Sequence, residues 1–573
     1  MKRSVFLAVI LLSILWHCAG YAEYCTQGEA TRIWITPQKS EPEVPVKIMA
    51  VSTVEPLTNI RMISPQGETL LLPTTAGTGG LPWHITAETG PIGNGLYQVE
   101  AQAGDKTLAC LIIGNGHDTW DTAGWDEMYE AFYAAWIEKL FDGGVDEDIS
   151  FPSLEPVLRD PERNFLLNTL GLEEDAALSA TPDCADFPYF LRSYFAWKNG
   201  LPFSYRQCNR GRAGKPPSCE SAIMNTDFVQ RVSPASKFRA MSIRLMDAVH
   251  SGNGRTALDD EQTDFYPVAL QRETLWPGTV YADPYGHTLV LTKWVEQTGS
   301  RPGLLFAVDA QPDNSIARKR FWEGTFLFTS TDSAGPGFKR FRPIVDHRLL
   351  KNGEIPEYSP EQAELSPDVF YARMHSLLNP AGLDAGQAYE ATLAALVEQL
   401  ETRVRSVENG EAYFRRGGTT IPMPKGAAIF ETIGPWEDFS TPSRDMRLLI
   451  AMDVLLDFPA KVQQYPRLFH LTPTAARQMR KEIEQLHNIL IAQKKIRYIR
   501  SNGEPWELSV ADVLARRAAF EMAYNPNDCV EIRWGAEPGT EEYAACQRRA
   551  PAAQIKQMES VRAWFRDTER PPR

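Results

Sequence analysis

Eight cysteines constrain this chain more than any other feature, because one is set to leave and the remainder cannot all pair. Lys2 and Arg3 precede an apolar run from Val5 to Trp16, and Gly20-Tyr21-Ala22 offers small residues around a cleavage point. That pattern predicts a secretory signal peptide over residues 1–22, too short for a comfortable membrane span. Cys18 goes with it, leaving Cys25, Cys110, Cys184, Cys208, Cys219, Cys529 and Cys546. In an oxidising compartment an odd number leaves one thiol over. Cys208 and Cys219 bracket a turn-rich NRGRAGKPPS loop, and Cys529 and Cys546 bracket another. Cys25 and Cys110 stand near the two ends of one β-rich segment. Disulfides are expected at those three places. Cys184 has no local partner and is the expected free thiol.

Composition narrows the function classes. At about 100–200 residues per domain, 573 residues suggest three or four domains. An aromatic content of 10%, with 14 Trp, argues against a disordered chain. A net charge of −14 argues against nucleic acid as a main partner, since phosphate binding needs an excess of Lys and Arg. No stretch after the signal is long and apolar enough for a membrane helix. The expected product is exported, periplasmic or extracellular, with no membrane span after signal cleavage.

Three regions follow from the hydrophobic patterning. Residues 23–115 read as an all-β, Ig-like sandwich, with short runs such as Arg32–Thr36, Val44–Val51, Ile60–Ser64, Thr69–Leu72, Leu96–Ala101 and Thr107–Ile113. This module would bind or space, and a protein partner could dock on it. Residues 116–350 read as α+β. Met128, Phe132, Trp136 and Leu140 recur at helical spacing, and strands are expected at Thr279–Ala282, His287–Val295, Leu304–Ala310, Thr325–Phe328 and Phe338–Val345. Residues 351–573 read as mostly α-helical. A stripe from Tyr389 to Val407 is expected to close at Asn409-Gly410, and helices are expected to open at Thr441-Pro442 and Thr472-Pro473, each Thr capping. The tail ending at Arg573 is expected to fray.

Common catalytic signatures are missing. The chain has no H-E-x-x-H, C-x-x-C, Walker A, G-x-S-x-G or S-x-x-K, and its histidines show no metal-ligand spacing. No cofactor or metal is expected. What remains is a thiol. Asp183-Cys184-Ala185-Asp186 precedes a helix carrying Phe187, Phe190, Leu191, Tyr194 and Phe195. A thiol at a helix start feels the positive end of the dipole, which favours thiolate. Pro188 moves the start of that helix toward Asp186. His287 begins one strand and GLLFAVDA forms the next, so a hairpin would set His287 opposite residues 310–312. Asp309 then lies within a cross-strand diagonal of His287, with Asp313 in reserve. Cys184 as nucleophile, His287 as base and Asp309 as its orienter make a workable triad.

A Cys at a helix start, a His on a strand and a polar residue on the next strand resemble the papain-like thiol hydrolases. Pro277-Gly278-Thr279-Val280 leading to Gly286-His287 looks most like the NlpC/P60 group of bacterial cell-wall peptidases. The resemblance covers roughly residues 120–345. It implies an amide-cleaving cysteine peptidase acting on a cell-wall peptide or other peptide through a thioester, with the Cys184 backbone N–H as one oxyanion donor. The transglutaminase-like acyl transferases share the same residue order and compete with this reading. A non-enzymatic envelope docking or scaffold protein with a degenerate papain-like fold is the alternative from another class. Residue by residue, blander roles stand beside these: a structural thiol, a core histidine, an Asp that ends a strand. Arg206, Arg210, Arg212 and Lys215 near the Cys208–Cys219 loop could hold a substrate carboxylate or simply face solvent.

Overall fold

The computed structural model describes residues 25–114, 124–176, 178–228, 233–299, 301–311, 314–329, 331–430, 432 and 434–571. The expected signal peptide and the reserve residue Asp313 lie outside the described residues. Eight strands occupy the N-terminal part: β1 (Thr31–Thr36), β2 (Lys47–Ser52), β3 (Asn59–Ile63), β4 (Thr69–Leu72), β5 (Thr74–Ala76), β6 (Trp83–Glu88), β7 (Tyr97–Ala103) and β8 (Lys106–Ile113). They form two antiparallel sheets, ordered β1-β2-β6-β5 and β4-β3-β7-β8, around a shared core. Strands β5 and β6 were not expected. The first is only three residues long, and the turn signals of Gly79-Gly80-Leu81-Pro82 hide the second.

Alternation along β1 and β2 explains how this part joins the next. Ile33, Ile35, Ile48 and Ala50 point between the two sheets. Trp34, Met49 and Val51, one residue out of phase, enter a second core with helix α1 (Glu127–Leu140). Trp34 stacks on Phe132 at 4.3 Å between ring centroids.

The central sheet has seven strands: β9 (Ser150–Phe151), β10 (Phe265–Pro267), β11 (Val280–Ala282), β12 (Thr288–Val295), β13 (Leu304–Ala310), β14 (Ile316–Arg320) and β15 (Gly337–Phe341). All pairings are antiparallel, in the order β10-β15-β11-β12-β13-β14-β9. Both faces are covered. Val280, Val290 and Val308 pack beneath α1 and α2 (Asp186–Lys198). Tyr281, Leu291 and Ala307 face the opposite way, toward α4 (Pro367–Leu378), the helix that follows α3 (Pro234–Ala248) among the longer helices. Thr325–Phe328 is not the expected strand. Its aromatics are buried without strand pairing, Phe328 stacking on Phe370 at 4.0 Å, so packing rather than a ladder satisfies them.

Beyond Leu378 the chain builds a helical core from α5 (Ala385–Arg415), α6 (Pro442–Gln464) and α7 (Pro473–Gln493). Helix α5 does not stop at Asn409-Gly410. A Cβ at Gly410 would meet Arg533 Nη1 at 3.0 Å and the Phe439 carbonyl at 3.3 Å, so this glycine serves close packing rather than termination. Thr472 caps α7 as expected, accepting from the Ala475 N–H at 3.2 Å. Thr441 does not cap α6; its hydroxyl accepts from Arg533 instead. An unexpected hairpin pairs Lys495–Ile499 with Pro505–Ser509. The tail does not fray within the described residues: Arg570 donates to the Tyr285 carbonyl. Sheets in the N-terminal part and helices in the C-terminal part thus make a β-then-α layout. Among the described residues no helix is long and apolar enough to cross a membrane.

Candidate active site

Disulfides join Cys25 to Cys110, Cys208 to Cys219 and Cys529 to Cys546, and Cys184 is free. Glu531 approaches Cys529 and Cys546 at metal-ligand spacing, but the two sulfurs are bonded to each other and offer no thiolate.

Cys184 stands just outside helix α2. Pro188 occupies its first turn, where a missing N–H costs nothing, and the helix begins at Asp186. The Asp183 carboxylate accepts from the Ala185 and Asp186 N–H groups at 2.8 and 3.0 Å. It therefore uses the amides that were expected to favour a thiolate. The consequence reverses the expectation: burial pushes the Cys184 thiol well above its ordinary value, Asp183 adds to the push, and Arg447 opposes it. Cys184 is half-buried, open on one side to a cavity while protein surrounds it closely enough to disfavour charge. Burial also pushes Asp186 up to about 9, with Asp183 reinforcing it, so Asp186 is neutral at neutral pH.

His287 is delivered by a tight turn. Asp283-Pro284-Tyr285-Gly286 joins β11 to β12, with Gly286 at φ +100° and its N–H donating to the Asp283 carbonyl at 3.2 Å. The Asp283 side chain accepts from the Tyr285 and His287 N–H groups at 2.8 and 2.9 Å. Its other oxygen accepts from Arg447 Nη2 at 2.6 Å and Nε at 3.2 Å. Burial alone would raise the Asp283 carboxyl; Arg447 and the turn hydrogen bonds hold it below its usual range.

The hairpin register is as anticipated. Val290 pairs with Val308 and Leu291 with Ala307, so continuing the ladder sets His287 opposite Gln311 with Asp309 on the diagonal. His287 Nε2 lies 2.9 Å from Asp309 Oδ2. Asp309 is buried, and although burial opposes it, Lys319 at 4.0 Å and the His287 hydrogen bond hold its carboxyl low. Gln311 Nε2 also donates to Asp309 Oδ2, at 2.5 Å. With Nε2 committed to Asp309, Nδ1 is the ring nitrogen left for a thiol proton. The Thr288 hydroxyl donates to the Cys184 carbonyl, tying the thiol's segment to the strand that follows His287.

Cys184, His287 and Asp309 all line one cavity of about 870 Å³ between the central sheet and helices α5 and α6. Among the four basic residues of the disulfide loop region, Arg210 lines this cavity. Arg206 is buried elsewhere, donating to the Glu220 carbonyl at 2.7 Å and approaching Asp264 at 3.7 Å. Sequence reasoning missed Asp283, Thr288, Gln311, Arg444 and Arg447. The Asp-Pro-x-Gly turn signature was a signal for Asp283. Nothing local marked the arginines, which arrive from more than a hundred residues away. Compared with known proteins, the chain matches no family model, no curated protein and no solved structure.

Proposed function

We propose that the protein is an exported thiol hydrolase that cleaves an amide bond in a cell-wall peptide. One observation carries this reading: the single unpaired thiol among the described residues shares a cavity with a hydrogen-bonded His287–Asp309 pair. On substrate binding, His287 Nδ1 takes the Cys184 proton and the thiolate attacks the carbonyl carbon. The tetrahedral intermediate collapses to a thioester as the leaving amine takes the proton from His287. Water, activated by the same imidazole, then releases the acid and restores the thiol. Because burial holds the thiol neutral, deprotonation belongs to the attack step rather than to a resting ion pair. The chain order of a thiol before a helix, a histidine before a strand and an aspartate on the next antiparallel strand supports a papain-like, NlpC/P60-like central domain. The two N-terminal sheets around one core support an Ig-like sandwich.

A second reading, a non-enzymatic envelope docking protein, is favoured by the same raised thiol, since burial and the neighbouring Asp183 both disfavour the thiolate. Iodoacetamide labelling of the unreduced protein, followed by peptide mapping and digestion of wall peptides, separates the two. The hydrolase reading expects label on Cys184, slower labelling near neutral pH in His287→Ala and Asp309→Asn, and new carboxyl termini in the peptides. Transfer of the acyl group to an added amine in preference to water would point to a transglutaminase-like enzyme. Labelling that ignores both substitutions, with intact peptides, would leave the docking reading.

A further inference from the structure

Helix α6 places two arginines one turn apart, at i and i+3, on the face that meets the His287 hairpin. Arg447 forms the Asp283 ion pair, and the turn held by Asp283 presents His287. Arg444 Nη2 donates to Gln311 Oε1 at 3.1 Å, while the Gln311 amide donates to Asp309. One helix thus reaches both supports of the imidazole: the turn that carries it and the carboxylate that orients it. Arg447 also donates to the Ser443 carbonyl at 3.3 Å, which fixes its guanidinium against its own helix.

We infer that the C-terminal helical region completes the reactive site, with Arg444 and Arg447 as positioning residues that clamp His287 and Asp309. This rests on the thiol-hydrolase reading of Cys184, His287 and Asp309. A two-nitrogen contact from Arg447 and a single hydrogen bond from Arg444, both on one helix, fix direction as well as distance, which an isolated hairpin turn does not. The clamp gives Arg447 a second effect. The thiol meets Asp183 and Asp186 from its own segment, Asp309 from the sheet and Arg447 from α6; with Asp186 protonated, Arg447 is the cation that offsets Asp183 and Asp309.

The test is labelling of Cys184 by iodoacetamide in the full-length, unreduced protein, followed from about pH 6 to about pH 10. Arg447→Met is expected to slow labelling near neutral pH about tenfold and to move the profile to higher pH; Arg447→Lys recovers part of the rate by restoring charge without the fork. In a double-mutant cycle, His287→Ala should slow the Arg444→Met protein much less than it slows the wild type, because the ring is no longer held. An Arg447→Met protein with a wild-type melting transition and labelling profile would overturn the inference. So would Arg444 and His287 effects that simply add, and this cycle decides the matter if Arg447→Met does not fold. Coupling in a protein that cleaves no peptide would remove the hydrolase reading and keep the clamp. Cleavage by wild type and by both arginine variants alike would do the reverse.

Discussion

Among the contacts that join the N-terminal sheets to the central region are those of Glu138 and Arg272; among those that join the C-terminal helices to it are those of Arg444 and Arg447. Glu138 of α1 accepts from the Thr78 and Gly79 N–H groups at 3.0 and 2.7 Å, and Arg272 donates to the Leu81 carbonyl at 2.9 Å. Those bonds grip a loop backbone, and among the described residues nothing from 25–114 lines the cavity. The arginines of α6 instead bond to side chains that hold His287 and Asp309. A junction that grips backbone attaches a region; one that grips side chains of the candidate site shares their geometry. The two ends of the chain are therefore not equivalent annexes to one sheet.

Substitutions can break that contrast. The largest effect is expected for Asp283→Ala, which leaves the Arg447 guanidinium without its carboxylate and two turn N–H groups without an acceptor. The loss should be about 3–5 kcal/mol in urea denaturation, together with slower Cys184 labelling. A loss of stability with unchanged labelling would make the C-terminal junction as passive as the N-terminal one. Glu138→Ala should cost about 1–3 kcal/mol through its two abandoned N–H groups and leave labelling at the wild-type rate. Slower labelling in that variant would show that the N-terminal sheets also shape the site.

Acid should separate the junctions with the smallest change. His84 is buried beside Glu138 at 3.8 Å, and burial lowers its pKa from the ordinary 6.5. The unfolded chain then binds a proton that the folded one resists, so this junction loses stability as pH falls below about 6.5. Asp283 and Asp309 are held low, so their contribution persists until pH falls below the ordinary carboxylate range of about 4. Hydrogen exchange across residues 77–88 should accelerate between those limits while residues 283–291 stay protected, and His84→Gln should remove the difference. Simultaneous loss of protection in both segments would contradict it.

Much of this was legible because local rules were enough. Turn-rich spacing identified the partners of Cys208 and Cys529, and the odd count left Cys184. A hairpin's register follows from its loop, and loop position alone brings Asp309 to His287. Where tertiary contacts compete with local signals, the reading failed. Gly410 sits inside a helix because Phe439 and Arg533 need its space, and Phe328 is buried against Phe370 rather than in a ladder. The helix start that promised a thiolate had its amides already used by Asp183, a bond that depends on side-chain direction rather than residue type.

By itself, then, the sequence determined which thiol stays unpaired and which histidine and aspartate share a hairpin, since chain spacing and strand period are properties of the covalent order. Only the tertiary structure decided the thiol's charge state and the clamp on the imidazole. Desolvation depends on everything that closes around an atom, and Arg447 meets Asp283 across 164 residues that no local rule connects.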